Sequence, residues 1–264
     1  MIEIGYMELA LGSLLLLIHG LVSLWYRVGT TLPLLIAAIR MVVQLSLMAY
    51  VLQFLFKAPS PFWTVLAVIV MMIFAGYEII ARQKRRIDGW WGYGIGTSSI
   101  FMAATLVTGF ALIVQVKPEP WYEARYAIPL LGMVLGNTMT GISIGLTTLT
   151  NSLKQERDAV ETRLALGHSR FQACQNVVRH ALHTGLIGIV NSMSAAGLVF
   201  IPGMMTGQLM AGADPIEAAK YQALIMFMIA GGTALGTTFA VFLGVYRLTD
   251  DRHRLRLERL SIKM

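Results

Sequence analysis

Long apolar runs are the feature of this sequence that most limits its fold. A helix needs about 20 mostly apolar residues to cross a hydrocarbon core ~30 Å thick. Inside lipid the backbone must satisfy its own hydrogen bonds, so only helices and closed barrels can span, and unbroken runs lack the alternation of a barrel strand. The sequence therefore predicts an all-α polytopic membrane protein with seven transmembrane helices, near residues 6–26, 32–56, 62–81, 95–116, 128–150, 184–202 and 221–246.

The composition excludes an ordinary soluble domain. Hydrophobic residues make up 56% of the chain and charged residues only 13%, against about a quarter charged in soluble domains. Little of the 264-residue chain lies outside the apolar runs. A single transmembrane domain over residues 1–264 is predicted.

The positive charges predict the orientation. Sixteen of the 21 Lys and Arg residues follow spans one, three, five and seven, four lie on the opposite side, and Arg40 lies within span two. Because cytoplasmic loops carry the excess of positive charge, we expect the N-terminus outside and a basic cytoplasmic tail at 247–264. The net charge of +7 is dispersed over four segments, which favours contact with anionic lipid over nucleic-acid binding.

One polar stretch, "ERDAVETRLALGHSRFQACQNVVRH" at 156–180, interrupts the apolar pattern within a predicted cytoplasmic loop at 151–183. Its apolar residues recur at spacings of mostly three or four, with a break at Gly167, which predicts a helix–Gly–helix element. Periodicity alone leaves two interpretations open, an interfacial connector whose Arg side chains reach lipid headgroups or a lever that binds a soluble partner. The predicted apolar face comprises Val160, Leu164, Phe171, Cys174, Val177, Val178 and Leu182.

The segment "ETRLALG" resembles the EAA-type loop of ABC-transporter permeases, with Glu161 six residues before Gly167. Thr162 and Arg163 stand where that motif usually has alanines. In such permeases this cytoplasmic helix–Gly–helix docks into a groove of the ATPase subunit. The resemblance implies an ATPase-coupling surface made of Glu161, Arg163, Leu164, Gly167, His168 and Phe171.

A wider resemblance covers nearly the whole chain. The loop, together with "GMVLGNTMTGISIGLTTL" and "IPGMMTGQLMAGADPIEAAKYQ", is similar to the FetB family, the permeases of bacterial iron-exporting ABC transporters. The resemblance implies a homodimer in the inner (plasma) membrane, paired with copies of a separate ATPase, that exports iron. The chain has no G-x-x-x-x-G-K-[ST] phosphate loop, so ATP and Mg²⁺ are expected on the partner. This chain itself is expected to bind no cofactor and to be no enzyme.

Polar side chains inside the spans are the candidates for a transport pathway: Arg40, Glu78, Asn137 and Asn191. Arg40 and Glu78 lie on a predicted hairpin and can pair, either to hold the fold or to move an ion. The second case would make the chain an ATPase-independent channel or secondary carrier, which is the alternative function. The asparagines either bridge helices or line a polar path, and the glycines of span five, Gly132, Gly136, Gly141 and Gly145, predict close helix packing.

Metal ligands are sparse. Ferrous iron prefers carboxylate and imidazole, whereas thioethers suit softer ions, so the outer-loop candidates are weak: Met204, Met205, Met210, Glu119 and Glu123. His180 and His183, three residues apart, could share a metal with Cys174, but without a second pair of strong ligands a solvated or ATPase-facing surface is the preferred interpretation. The sequence "DPIE" at 214–217 predicts a helix start, with Asp214 as the cap.

Overall fold

The computed structural model describes residues 5–57, 60–83, 85–116, 120, 122–250 and 254–262. The chain forms two compact units, Met1–Ala58 and Pro59–Met264. The described residues form these helices: α1 Tyr6–Trp25, α2 Thr31–Lys57, α3 Pro61–Ala81, α4 Trp90–Phe110 with a π-helical extension Ala111–Val116, α5 Ala124–Gln155, α6 Arg157–Ala165, α7 Arg170–Ala173, α8 Gln175–Ala195, α9 Gly203–Met210 and α10 Pro215–Leu248.

The structure confirms a mostly helical, polytopic membrane protein. Among the described residues, six helices are long and apolar enough to cross a membrane: α1, α2, α3, α4 with its extension, α5 and α10. They match six of the seven predicted spans. The seventh span and the orientation of the chain stay predictions.

The predicted span at 184–202 has different bounds in the structure. Its helix, α8, begins earlier and ends at Ala195. Gly197 adopts a φ of +83°, and its N–H donates to the carbonyl of Phe200 at 2.9 Å. This local turn ends α8 although the sequence stays apolar beyond it. A glycine with positive φ can end a helix, whereas the length of an apolar run carries no information about such a turn.

The first unit is a helical hairpin of α1 and α2. Arg27 and Gly29 both have positive φ in the connecting turn, and the hydroxyls of Ser23 and Thr30 lie 2.8 Å apart. Thr31 Oγ1 donates to the carbonyl of Gly20 at 3.1 Å. Most apolar side chains of both helices are exposed, as expected where lipid is the solvent.

The second unit is a bundle centred on α5, which packs against α3, α4, α8 and α10. At its centre, a Cβ on Gly141 would lie 2.7 Å from Thr237 Oγ1, and one on Gly145 would lie 2.9 Å from Thr237 Cγ2. The predicted close packing is confirmed for these two glycines. Gly136 has open space at its Cβ position, so the prediction was wrong there.

The prediction of purely α-helical structure and of a basic tail misses a small β-sheet. Strand β1 (Arg85–Ile87) pairs antiparallel with β2 (Leu260–Ile262). A backbone bond of 2.8 Å from Arg256 to Leu248 and the burial of Leu255 fold residues 254–262 back against the bundle. We call these residues the C-terminal strap. The strap depends on pairing between distant segments, which local sequence patterns do not reveal.

Candidate functional site

The predicted helix–Gly–helix element is present as α6, a turn at Gly167, and α7. Gly167 has a φ of +86°; its N–H donates to Leu164 O at 3.0 Å and the next N–H, of His168, to Arg163 O at 3.1 Å. This is the Schellman arrangement that ends helices, and it favours glycine at this position. Ser169 and Gln172 then form a capping box that starts α7. The sequence thus defines both the end of α6 and the start of α7.

One face of this element is fastened to the bundle. Val160 and Leu164 of α6 and Cys174 and Val177 at the start of α8 are buried and belong to the main hydrophobic core. The predicted apolar face is confirmed at these positions. Phe171 differs, since it is 40% exposed and its ring lies 5.3 Å from that of Phe242.

The opposite side is open. Leu164, predicted as a coupling residue, is only 7% exposed, whereas Leu166 is 74% exposed. The side chain of Leu164 therefore anchors the element, and Leu166, which the sequence reasoning missed, is the exposed apolar group. The sequence offered one signal for this exposure: Leu166 directly precedes Gly167, where the helix ends. We define the α6–α7 tip as residues 165–171, which carry Leu166, Gly167, His168 and Phe171 on the exposed side.

The charged residues of the element are held by local contacts. Arg157 Nε lies 2.8 Å from Glu161 Oε1, one helical turn away. Arg163 Nη1 donates to the carbonyl of Ala173 at 3.3 Å, which ties the end of α6 to the end of α7. The hydrogen bond and charge of Glu161 raise the pKa of Arg157, with a smaller contribution from Glu258. Leu255 of the C-terminal strap belongs to the same hydrophobic core as Val160 and Leu164 of α6.

Burial raises the pKa of the Cys174 thiol to about 11, and the charge of Arg163 opposes this shift. The thiol is consequently neutral at physiological pH and acts as a small apolar group. His180 and His183 are exposed. Within the described residues, no group of three or more His, Cys, Asp or Glu side chains could hold a metal ion.

The weak metal candidates do not form a centre in the described part of the chain. Met204 and Met205 are partly buried and Met210 is exposed on α9, and Met204 packs against a second hydrophobic cluster. Glu123 lies 3.9 Å from Arg125. Glu119 lies outside the described residues.

The transport-pathway candidates lie on four different helices, α2, α3, α5 and α8. Glu78 lies 3.6 Å from Arg82 on its own helix, and Arg40 is exposed on α2 of the first unit. Asn137 and Asn191 are exposed on α5 and α8, and Asn137 Nδ2 donates to the carbonyl of Met133 at 3.0 Å. An Arg40–Glu78 pair stays a prediction.

The predicted helix start at α10 is confirmed. Asp214 Oδ1 accepts the N–H groups of Ile216 and Glu217, both at 3.0 Å, and Pro215 is the first helical residue. The Asp214 carboxylate is thus engaged in capping, and the Glu217 carboxylate lies 2.7 Å from Lys220 Nζ. Both carboxylates therefore serve the start of α10.

Comparison with known proteins gives a family and several relatives. The model of UPF0014, an uncharacterised protein family, matches residues 6–249. UPF0014 membrane protein slr1647 of Synechocystis is 36% identical over 96% of this chain and 94% of its own length. Protein ALUMINUM SENSITIVE 3 of Arabidopsis thaliana is 34% identical over 77% of this chain and 72% of its own. The probable iron export permease protein FetB of Escherichia coli is 28% identical over 97% and 96%. A search of solved structures found no match.

Proposed function

Because this chain belongs to the UPF0014 family of membrane proteins, we propose that it is the membrane-spanning subunit of an ATP-driven metal transporter in the inner (plasma) membrane. A separate ATPase docks on the segment 154–180. The observation that carries the proposal is the α6–α7 element, which is buried on one side at Val160 and Leu164 and exposed at Leu166 on the other. Such an element has one face for the bundle and one for a partner.

The connections of this element suit a lever. Helix α5 runs unbroken from Ala124 to Gln155 and is followed by α6 after one residue, Glu156. Helix α7 is followed by α8 after Cys174. A displacement of the tip therefore acts on two long helices at the centre of the bundle, with little flexible chain to absorb it.

Metal ions are the substrate class that the relatives favour. The Escherichia coli relative is named for iron export, and the Arabidopsis relative for sensitivity to aluminium. Both names refer to a metal, so we assign metal-ion transport to this chain, with export of iron as its direction and cargo. The chain binds no ATP in this proposal; ATP and Mg²⁺ belong to the partner.

A second copy of the chain is the proposed partner within the membrane. Asn137 and Thr140 on α5, and Asn191 and Ser194 on α8, are exposed on helices otherwise rich in apolar residues. Polar groups that face lipid are costly, whereas polar groups between helices are common. Homodimer formation through these faces would remove them from lipid and place them along a shared path.

The decisive experiment is to isolate the tagged chain from native membranes in a mild detergent and to determine the bound proteins and their ratio. We expect one ATPase copy per copy of this chain, and metal-stimulated ATP hydrolysis by the complex. Recovery of the chain alone, in a detergent that preserves a known transporter complex, contradicts the proposal. It would favour a carrier that uses Arg40 and Glu78.

Cross-linking tests the dimer separately. Cys174 is buried, so a new cysteine at Thr140 or Ser194 can be cross-linked with little background. We expect a dimer band for both, and none for Ile113→Cys, which is exposed on the π-helical extension. Equal cross-linking of all three positions would show random collision and contradict the dimer.

A further inference from the structure

A groove lies between the start of α4 and the end of α10. It has a volume of about 360 Å³ and is lined by Trp90, Trp91, Gly94, Ile95, Ser98 and Leu243. The Ser98 hydroxyl donates to the carbonyl of Ile95 at 3.3 Å, so the lining is effectively apolar. The volume falls within the range of small-molecule sites, and an apolar chain is the kind of group that such a lining accommodates.

The mouth of the groove is aromatic and basic. Trp90 is 86% exposed, and the Arg247 guanidinium lies 4.7 Å from the centre of the Trp91 ring. Arg259 Nη1 donates to the backbone carbonyl of Arg247 at 2.7 Å, which places a second guanidinium at the end of α10. Trp side chains favour the boundary between lipid tails and headgroups, so the mouth has the character of a membrane interface.

Two of the guanidinium groups at this end have unused hydrogen-bonding capacity. The Nε atoms of Arg86 and Arg247 are buried and lack a hydrogen-bond partner within the described part of the chain. Among the described residues, Asp250 lies 2.9 Å from Arg256, Glu258 lies 3.1 Å from the same Arg, and Asp88 accepts the N–H of Gly89 at 3.0 Å. The described Arg residues of β1, the end of α10 and the strap outnumber these carboxylates, and this excess of positive charge favours an anion: Arg85, Arg86, Arg247, Arg254, Arg256 and Arg259.

We propose that this groove binds an anionic phospholipid, with one acyl chain along Gly94 and Leu243 and the phosphate beside Arg247. Basic sites between membrane helices recognise anionic headgroups in general. The apolar groove and its basic mouth match the two halves of such a lipid, whereas an apolar protein segment would leave Arg247 without a counter-charge. The site lies on the α4–α10 side of the bundle, and its existence does not depend on the proposed transport activity.

Brominated lipids test the site through Trp90 and Trp91, in a chain whose other three Trp residues are replaced by Phe. In vesicles we expect dibrominated phosphatidylglycerol to quench this fluorescence with at least about fivefold higher apparent affinity than dibrominated phosphatidylcholine. Arg247→Gln should reduce that preference about fivefold, the effect of one basic residue. Arg125→Gln, an exposed Arg in the first turn of α5, should leave it unchanged.

Filling the groove separates lipid occupancy from general exposure of the two Trp residues. A Cβ on Gly94 would meet no atom within 4 Å, and the same holds for Gly109 on the same helix. Gly94→Leu should reduce quenching and abolish the lipid preference, and Gly109→Leu should do neither. Native mass spectrometry of the unmodified chain should show retained phosphatidylglycerol that Arg247→Gln loses.

Equal quenching by the two lipids overturns the proposal. So does quenching that Gly94→Leu leaves unchanged, which would mean that lipid reaches the exposed Trp rings from outside the groove. Absence of quenching by either lipid would mean that protein, such as a second copy of the chain, covers the groove, and it also overturns the proposal. If the Phe replacements unfold the chain, the mass-spectrometric comparison decides alone, and retention independent of Arg247 overturns the proposal.

Discussion

The junction of α5, α8 and α10 and the α6–α7 tip both depend on glycine, for different physical reasons. At the junction, a Cβ on Gly185 would lie 2.9 Å from the carbonyl oxygen of Gly141 and 2.8 Å from Thr237 Cγ2. At the tip, a Cβ on Gly167 would meet nothing within 4 Å, but its φ is +86°. The first glycine allows two backbones to approach; the second allows one backbone to turn.

This difference separates two kinds of constraint. In lipid there is no hydrophobic drive between helices, so close packing of small residues holds them together. At the aqueous surface the direction of the chain is set locally, by a helix stop and a capping box. Substitutions at the junction should therefore change the stability of the bundle, and substitutions at the tip should change what the tip can bind.

The largest expected effect on stability concerns Leu164, which packs α6 against the core of the bundle. Leu164→Ala leaves a cavity in the main core and should lower the free energy of unfolding by about 2–4 kcal/mol. Leu166→Ala, two residues away and exposed, should change it by less than about 0.5 kcal/mol. Unfolding in mixed detergent micelles measures both. Similar values for the two variants would mean that α6 is not anchored as described.

The junction gives the next largest effect. Gly185→Ala forces a methyl group against the backbone of α5, and overpacking of this kind costs about 1–3 kcal/mol. Gly188→Ala, on the same helix, meets open space and should be neutral or stabilising by up to about 1 kcal/mol, because alanine favours helix. The same unfolding assay distinguishes them. A neutral Gly185→Ala would disprove the close approach of α5 and α8.

A smaller effect on stability but a large one on function is expected at the tip. Gly167→Val places a β-branched residue at positive φ, at a cost of about 1–2 kcal/mol, and should distort the turn. Gly167→Asn tolerates this conformation and is the matched control. We expect ATPase association to be lost with valine and kept with asparagine, as measured by co-purification. Equal binding by both variants contradicts the docking role of the tip.

The smallest expected effect is on the reactivity of Cys174, which reports whether the residue between α7 and α8 stays buried. Burial raises the pKa of the Cys174 thiol to about 11, so at pH 8 only about one thiol in a thousand is ionised. Maleimide labelling of the folded chain should be slow, should accelerate as the pH approaches 11, and should be fast after unfolding in dodecyl sulfate. Folding favours the neutral thiol. The free energy of unfolding is therefore unaffected by this group below about pH 9 and decreases as the pH rises toward 11. Rapid labelling of the folded chain at pH 8 would contradict the burial.

Local patterns were sufficient for much of the fold. The apolar runs predicted the six long helices to within a few residues at most ends, the "DPIE" sequence predicted the start of α10, and Gly167 predicted the break between α6 and α7. Each of these is decided by residues close in sequence. The coupling residues predicted by resemblance stay predictions. They differ in exposure, because the resemblance did not distinguish the buried Leu164 from the exposed Leu166.

The sequence by itself determined that this chain is a helical membrane protein with a polar helix–Gly–helix element, because hydrophobicity, capping and glycine conformation act over a few residues. Only the tertiary structure decided which glycines form the junction and how the C-terminal strap pairs with β1. It also brought Arg247 to Trp91, some 150 residues earlier in the chain. These features depend on contacts between distant segments, whose free energies no local pattern contains.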